Sequence, residues 1–361
     1  MYEGHYRILT INPGSTTTKI AIYQDEEPLI VKTISHSRVE LDLCGVILDQ
    51  RSLREQAVWD AMKEADIDPA TLDAVVGRGG LIRPIDSGVY TINPTMLHDL
   101  EDAAAATHAS TLGAIIAYAI ATELHLPAYV VDPIVVDELD PFAKLTGFPG
   151  IERQSIFHAL NQKAIARRCA REMGVLYENS RFIVAHMGGG ITVGAHRYGR
   201  VIDVNDALAG EGPFTPERTG AVPLLPLIDL CYSGAYTHDE MVELITKRGG
   251  MMAYLGTNDL RKCLRMVKEG DEYATLVFES MAYQVSKEIG AMAAVLEGRV
   301  DAIILTGGLA HSVRFTGAIK ERVDLIAPVK VFPGEDELLA LAEGALRVLR
   351  GEEQPLTYDG V

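Results

Sequence analysis

Three short segments gather the residue types that hold phosphate oxygens. The run Asn12-Pro13-Gly14-Ser15-Thr16-Thr17-Thr18-Lys19 sets four hydroxyls, one glycine and one lysine between two apolar runs, so backbone N–H groups, hydroxyls and a cation can converge on one anion. An ordinary polar β-turn would use the same residues, their threonines satisfying strand propensity. It is not a P-loop, because no G-K-[ST] string occurs in the chain. His186-Met187-Gly188-Gly189-Gly190 offers three consecutive residues without Cβ, which lets a bulky anion approach the backbone and its amides. Leu305-Thr306-Gly307-Gly308-Leu309-Ala310 closes an apolar run and opens into a loop, where open α/β sheets bind ligands beyond their strand ends. A nucleotide base or ribose suits it. Asp132 follows the apolar run Tyr129-Val130-Val131; a carboxylate on a rigid strand end suits a hard cation, directly or through water, and a turn cap before Pro133 is the alternative.

The elements around these residues repeat. Both Gly14 and Gly188 stand between an apolar strand pattern and a second β-rich run, the local signature of a hairpin. They are 174 positions apart in a chain of 361, as a duplicated domain would give. Periodicity predicts a helix over 53–65, a strand over 74–76, a long helix over 94–124 and a strand over 128–131. After Gly188 it predicts helices over 240–246, 258–268 and 273–296, then an apolar strand over 302–305. A last helix over 336–349 is long enough to cross back onto the N-terminal half. Both halves are therefore α/β. The expected domains are 1–150, joined by 336–361, and 151–335, with a short hinge near 147–151 because no low-complexity linker separates them.

Length and composition agree with two packed domains. A single core stops growing well below 361 residues, and 48% hydrophobic with 23% charged residues is ordinary for globular proteins in water. The formal charge of −17, with no run of five Lys or Arg, argues against nucleic acid or anionic membrane surfaces as partners. Positive charge for an anionic ligand then has to be concentrated at the site. The start MYEGHYRILTI lacks the pattern of a secretory signal, and the Ala-rich stretch 103–126 is broken by enough polar residues to read as a packed helix rather than a membrane span. Cys44, Cys169, Cys231 and Cys263 show no C-x-x-C spacing, which favours reduced, packed thiols over disulfides or zinc. A cytoplasmic protein is expected.

The strings NPGSTTTK, HMGGG and LTGGLA, in this order and at these separations, resemble the two phosphate motifs and the adenosine motif of acetate and butyrate kinases, within the actin, sugar-kinase and heat-shock-chaperone superfamily. The resemblance runs over essentially the whole chain. It includes GRGGLIRPIDSGVY at 77–90, HASTLGA at 108–114, FHALNQKAIAR at 157–167, DALAGEGPFTPERTG at 206–220 and PGEDELLALAEGAL at 333–346. These longer strings are more similar to butyrate than to acetate kinases. The resemblance implies a two-domain actin-like ATPase (ribonuclease H-like) α/β fold, duplicated about a central cleft, with ATP/ADP and Mg²⁺ as cofactors and a homo-oligomer, a dimer or larger, as the assembly.

Residue by residue, the resemblance implies nucleotide-binding roles for Asn12, Gly14, Ser15, Thr17 and Lys19, for His186, Gly188, Gly189 and Gly190, and for Gly307 and Gly308. Asn12, Asp132 and Glu337, the last in the acidic run Glu335-Asp336-Glu337, match positions near the metal. His108 and Arg218 match a His and an Arg placed around the transferring phosphoryl group; read without the resemblance they are a core histidine and a surface ion pair. Arg78 lies near the position of a carboxylate-binding Arg, with Arg83 the competing candidate, and either guanidinium can grip a carboxylate bidentately. Where acetate kinases end a HGTSH string with a second His, this chain has His158-Ala159-Leu160-Asn161-Gln162. Gln162 stands in that place, and His158 and Asn161 remain as substrate-side candidates.

The chemistry implied is transfer of the γ-phosphoryl group of ATP to a short-chain carboxylate, butanoate foremost, giving an acyl phosphate and ADP. A carboxylate is already a nucleophile at neutral pH, so the work is positioning two anions in line and neutralising charge between them, with domain closure excluding water. The alternatives are an acetate, propionate or branched-chain acid kinase, since each methylene changes binding by only about 1 kcal/mol, or a non-catalytic nucleotide-dependent regulator or chaperone-like switch on the same fold.

Overall fold

Among the described residues, apolar runs rich in β-branched side chains fold into twelve strands. In chain order these are β1 (Arg7–Pro13), β2 (Thr17–Gln24), β3 (Glu27–Ser35), β4 (Ala74–Gly77), β5 (Val89–Thr91) and β6 (Ala128–Val131). They continue with β7 (Arg181–Met187), β8 (Ile191–Arg197), β9 (Arg200–Val204), β10 (Ala302–Gly307), β11 (Val329–Pro333) and β12 (Leu356–Thr357). The computed structural model describes residues 5–104 and 109–360. Two compact units result: the first takes the chain through Val136, with Ala159–Ala164 and the segment from Asp336 onward, and the second takes Asp137–His158 and Ile165–Glu335.

The first unit holds a seven-stranded sheet in the order β12-β5-β6-β4-β1-β2-β3, and the second a five-stranded sheet in the order β11-β10-β7-β8-β9. In each, the first strand in chain order pairs antiparallel with the next strand of a hairpin and parallel with a strand from later in the chain: β1 with β2 and β4, β7 with β8 and β10. The parallel neighbour is itself flanked by a parallel strand, β6 or β11. The halves are thus duplicates, to which the first unit adds β5 and β12 at one edge.

The inner strands of each sheet are buried on both faces, as their near-continuous apolar runs require, while β3, β11 and β12 are largely exposed. In the first unit Leu9 and Ile11 face a core shared with helices Arg51–Glu64 and Leu112–Leu124, while Ile8, Ala21 and Val76 face helix Glu337–Leu349. The C-terminal helix therefore packs on the N-terminal sheet. In the second unit Ile183, Ala185 and Met187 pack on helices Glu272–Val295 and Val313–Val323, and Phe182 and Val184 on Cys169 and Ala170.

One predicted element is overturned. The single helix over 94–124 is instead a helix Pro94–Ala104, a 3-10 turn Ala109–Thr111 and a second helix Leu112–Leu124. The second helix brings Gly113 against the strand end, where a Cβ on Gly113 would lie 2.7 Å from the Arg78 carbonyl oxygen and 3.1 Å from Pro13. The other predicted helices and strands occur with ends shifted by one or two residues, the ordinary fraying of boundaries. Helices Ala159–Met173 and Val313–Val323 were not read from periodicity.

Candidate active site

The first unit's hairpin turn is tight. Pro13 pairs with Thr18 across the hairpin, and the Gly14 N–H donates to the Thr17 carbonyl at 2.7 Å, leaving Ser15 and Thr16 exposed at the tip. Lys19 is exposed beyond it, opposite buried Asn12 in the register. The Asn12 side-chain amide donates to Glu337 Oε2 at 2.6 Å, and Glu337 Oε1 forms an ion pair with Arg78. Asn12, Arg78 and Glu337 are therefore brought together, although 325 positions separate Asn12 from Glu337. Glu337 sits in the first turn of its helix, where the helix dipole favours an anion.

Asp132 lies beyond β6, buried, with φ +37°. A non-glycine residue in this left-handed region is strained, and such strain concentrates at functional sites. Its Oδ1 accepts from Ser87 Oγ at 2.6 Å and from the Gly88 N–H at 2.9 Å, which aims the carboxylate. Arg83 is not brought to this group: its guanidinium is largely exposed and lies 3.8 Å from Asp99. His108 lies outside the described residues. Asn161 is buried within the segment that counts with the first unit.

Three strings of the second unit meet at its own hairpin turn. Gly188 N–H donates to the Gly190 carbonyl at 2.9 Å. Thr215 Oγ1 donates to the Gly189 carbonyl at 2.6 Å and accepts from the N–H groups of Glu217 and Arg218 at 3.1 and 3.0 Å, so this one hydroxyl docks the loop carrying Arg218 onto the turn. A Cβ on Gly190 would sit 3.0 Å from Arg218 Cζ; glycine is what admits the guanidinium. Arg218 Nη1 donates to the Ala207 carbonyl, while its Nε is buried with no hydrogen-bond partner. Burial pulls the guanidinium below its ordinary pKa, against the opposing charges of Glu217 and Asp206.

Gly307, at φ +88°, lies directly on the Met187 backbone, its hypothetical Cβ 2.6 Å from Met187 N. Thus the LTGG strand end abuts the HMGGG strand end. The His186 ring is buried and stacks on His158 at 3.8 Å between centroids, with Nε2 3.2 Å from Glu335 Oε1. His158 Nδ1 is 3.0 Å from Thr192 Oγ1. Glu335 also accepts weakly from the Gly308 N–H at 3.4 Å. The acidic run is therefore divided, Glu335 bonding within the second unit and Glu337 within the first, a split that three adjacent acids in sequence do not announce.

The donor set suits one kind of metal. Among the described residues no group of three or more His, Cys, Asp or Glu side chains is arranged to hold an ion. Mg²⁺ asks for less: one or two carboxylates, with water and phosphate oxygens completing the octahedron. Asp132 and Glu337 are carboxylates of the kind that role uses; Asp132 Oδ1 accepts from Ser87 and Gly88, and the two oxygens of Glu337 face Asn12 and Arg78. Sequence reasoning missed Arg54, Ser87, Thr192 and Thr215. Arg54 had a signal, since it falls on the apolar stripe with Val58, Ala61 and Met62, where a lone cation needs a reason.

Residues 147–323 match the sequence model of the acetokinase family. Among solved structures, the chain is similar to the acetate kinase of Porphyromonas gingivalis, with a TM-score of 0.80 at 19% identity over 95% of this chain and 100% of that one. A propionate kinase from Francisella tularensis subsp. tularensis SCHU S4 gives 0.74 at 18%, over 94% and 98%. The acetate kinase of Entamoeba histolytica gives 0.76 at 16%, over 94% and 99%. At such identities the likeness shows the fold, which is the two-domain, actin-like α/β fold of these structures.

Proposed function

We propose that the chain is a magnesium-dependent short-chain carboxylate kinase of the acetokinase type, ATP + carboxylate ⇌ ADP + acyl phosphate, with butanoate as the preferred acid. The observation that carries the reading is Arg218: a half-buried guanidinium wedged against a triple-glycine turn, its buried Nε hydrogen without a partner among the described residues. That is the equipment for an anion with spread negative charge. The family match over 147–323 includes this loop and turn, and the solved structures of the same fold are named as acetate and propionate kinases, which supports a carboxyl group as phosphoryl acceptor. Butanoate rather than acetate is supported by the longer strings of the sequence and by Gln162 in place of a second His.

In this reading a carboxylate oxygen attacks the γ-phosphorus, the bond from that phosphorus to the β,γ-bridging oxygen breaks, and ADP leaves. No proton moves, because the acid is ionised at neutral pH. Arg78, oriented by Glu337, holds the acceptor carboxylate; Arg218 neutralises the charge that spreads over the transferring group. The hairpin turns of Asn12 to Lys19 and His186 to Gly190, with Gly307 and Gly308, hold the nucleotide. Bound Mg²⁺, positioned by Asp132 and with Asn12 and Glu337 beside it, would screen the phosphate oxygens. The two compact units act as the two domains, and the enzyme works in the cytoplasm as a homo-oligomer.

The test is trapping of acyl phosphate as hydroxamate across C2 to C6 acids, with and without Mg²⁺. Mg²⁺-dependent product with an optimum at C4 is expected. An optimum at C2 or C3 would move the assignment to an acetate or propionate kinase. ATP hydrolysis indifferent to carboxylate would overturn the kinase reading and favour a nucleotide-dependent regulator.

A further inference from the structure

Arg54 belongs to none of the motifs above, yet it is among the largest wholly buried side chains of the described residues. All five of its N–H groups are used. Nε and Nη2 donate to Gln50 Oε1 at 3.2 and 2.9 Å, Nη2 also to the Ser15 carbonyl at 3.1 Å, and Nη1 to the Thr17 carbonyl at 2.8 Å and Thr18 Oγ1 at 3.1 Å. The guanidinium is thus bolted beneath the hairpin turn. Thr18 Oγ1 also lies 2.8 Å from His36 Nε2, and the His36 N–H donates to the Thr16 carbonyl at 2.9 Å, so the turn is held from two sides.

Two consequences follow from this grip. The first concerns direction. In a planar trans peptide the N–H points opposite to the carbonyl, and no peptide here is cis. With the Ser15 carbonyl aimed down at Arg54, the Thr16 N–H is aimed away from it, at the exposed tip, where it bonds to no other described residue. The second concerns charge. No carboxylate of the described residues pairs with Arg54, and burial is the main influence on it, pulling its pKa down. Burying a cation without an anion is costly, and a neutral side chain of similar length would tie the helix to the hairpin without that cost.

Resting on the nucleotide reading above, we infer that Arg54 is a positioning residue for phosphate: it fixes the Ser15 to Thr18 turn with the Thr16 N–H outward, and its charge is balanced from behind the turn by the bound polyphosphate.

The experiment compares wild type, Arg54→Met and Arg54→Lys in the full chain, measuring the MgADP dissociation constant, KM for ATP and for the carboxylate, and thermal unfolding. Arg54→Met is expected to weaken MgADP binding and raise KM for ATP by about tenfold or more, with the carboxylate KM within about twofold and a cooperative unfolding transition retained. Arg54→Lys, which keeps the charge and loses the fork, is expected to recover part of the MgADP affinity. MgADP affinity in a folded Arg54→Met within about twofold of wild type overturns the inference, and Arg54→Lys no better than Arg54→Met overturns its charge component. Should Arg54→Met not fold, Gln50→Leu, which removes only the guanidinium's side-chain anchor, carries the test: weaker MgADP binding is expected and unchanged binding overturns the inference. Failure of the wild type to bind MgADP overturns the function proposed above, and this inference with it.

Discussion

Arg218 buries an Nε hydrogen with no acceptor in its own unit, and an anion that forms during reaction is the partner such a group can serve. Arg218→Ala should therefore lower kcat by roughly 10²–10³, the usual cost of one preorganised donor, while the MgADP dissociation constant changes only a few-fold; equal losses in the two would argue against a role in the transition state. His36 gives a prediction in pH. Burial first, and then the charge of Arg54, hold its ring below the ordinary value of 6.5. The unfolded chain takes up a proton near that ordinary value and the folded chain refuses it until lower pH, so stability is full above it and is lost as pH falls toward the depressed folded value. The melting temperature of wild type should drop more between pH 7.5 and 5.5 than that of His36→Gln, whose side chain does not titrate. Parallel curves would mean that His36 is not the titrating group.

Hairpin, glycine turn and parallel neighbour make up the repeated element, and its two copies have diverged at the turn. The first copy is rich in hydroxyls, with Arg54 bolted beneath; the second is rich in glycine, with Arg218 admitted against Gly190. The strand ends around the second turn are close-packed where β10 meets β7. Gly307→Ala asks a residue with a Cβ to take φ +88° and to enter the Met187 backbone, and should cost at least about 2 kcal/mol in stability. Gly308→Ala is the matched control: a Cβ there meets nothing within 4 Å, so its effect should stay within about 0.5 kcal/mol. Denaturant unfolding of the two variants beside wild type checks the difference, and similar values for both would show that the close approach of β10 to β7 is not rigid.

At the scale of the molecule, charge acts on stability and not on the fold. A net charge of −17 repels itself in the compact state, and salt shortens the range of that repulsion, the Debye length falling to about 8 Å at 0.15 M. Melting temperature should rise as NaCl is raised from about 0.02 to 0.3 M. A fall over that range would mean that the ion pairs of the surface outweigh the net repulsion. No helix of the described residues is long and apolar enough to cross a membrane, and the Ala-rich run over 103–126 contributes one of the packed helices of the first core instead.

The two hairpins, the strands at 74–77, 128–131 and 302–307 and the duplication were legible in the chain, because apolar runs around a glycine turn are local facts and a repeat distance of 174 residues needs no coordinates, whereas the strands at 27–35, 89–91, 200–204, 329–333 and 356–357 were not read. Asn12, Asp132, Arg218 and the three glycine turns carry the resemblance by their types and order, and their roles rest on the function proposed above. Pairings across long separations were not legible. That Glu337 holds Arg78 and Asn12 while Glu335 meets His186, that Arg83 turns to Asp99, and that Thr215 docks the Arg218 loop on Gly189 are set by which strand ends the sheet order makes neighbours. A buried cation such as Arg54 shows the limit most plainly: its place on an apolar stripe is visible in the sequence, but the acceptors that make burial tolerable come from a turn 36 to 39 residues away, and only folding supplies them.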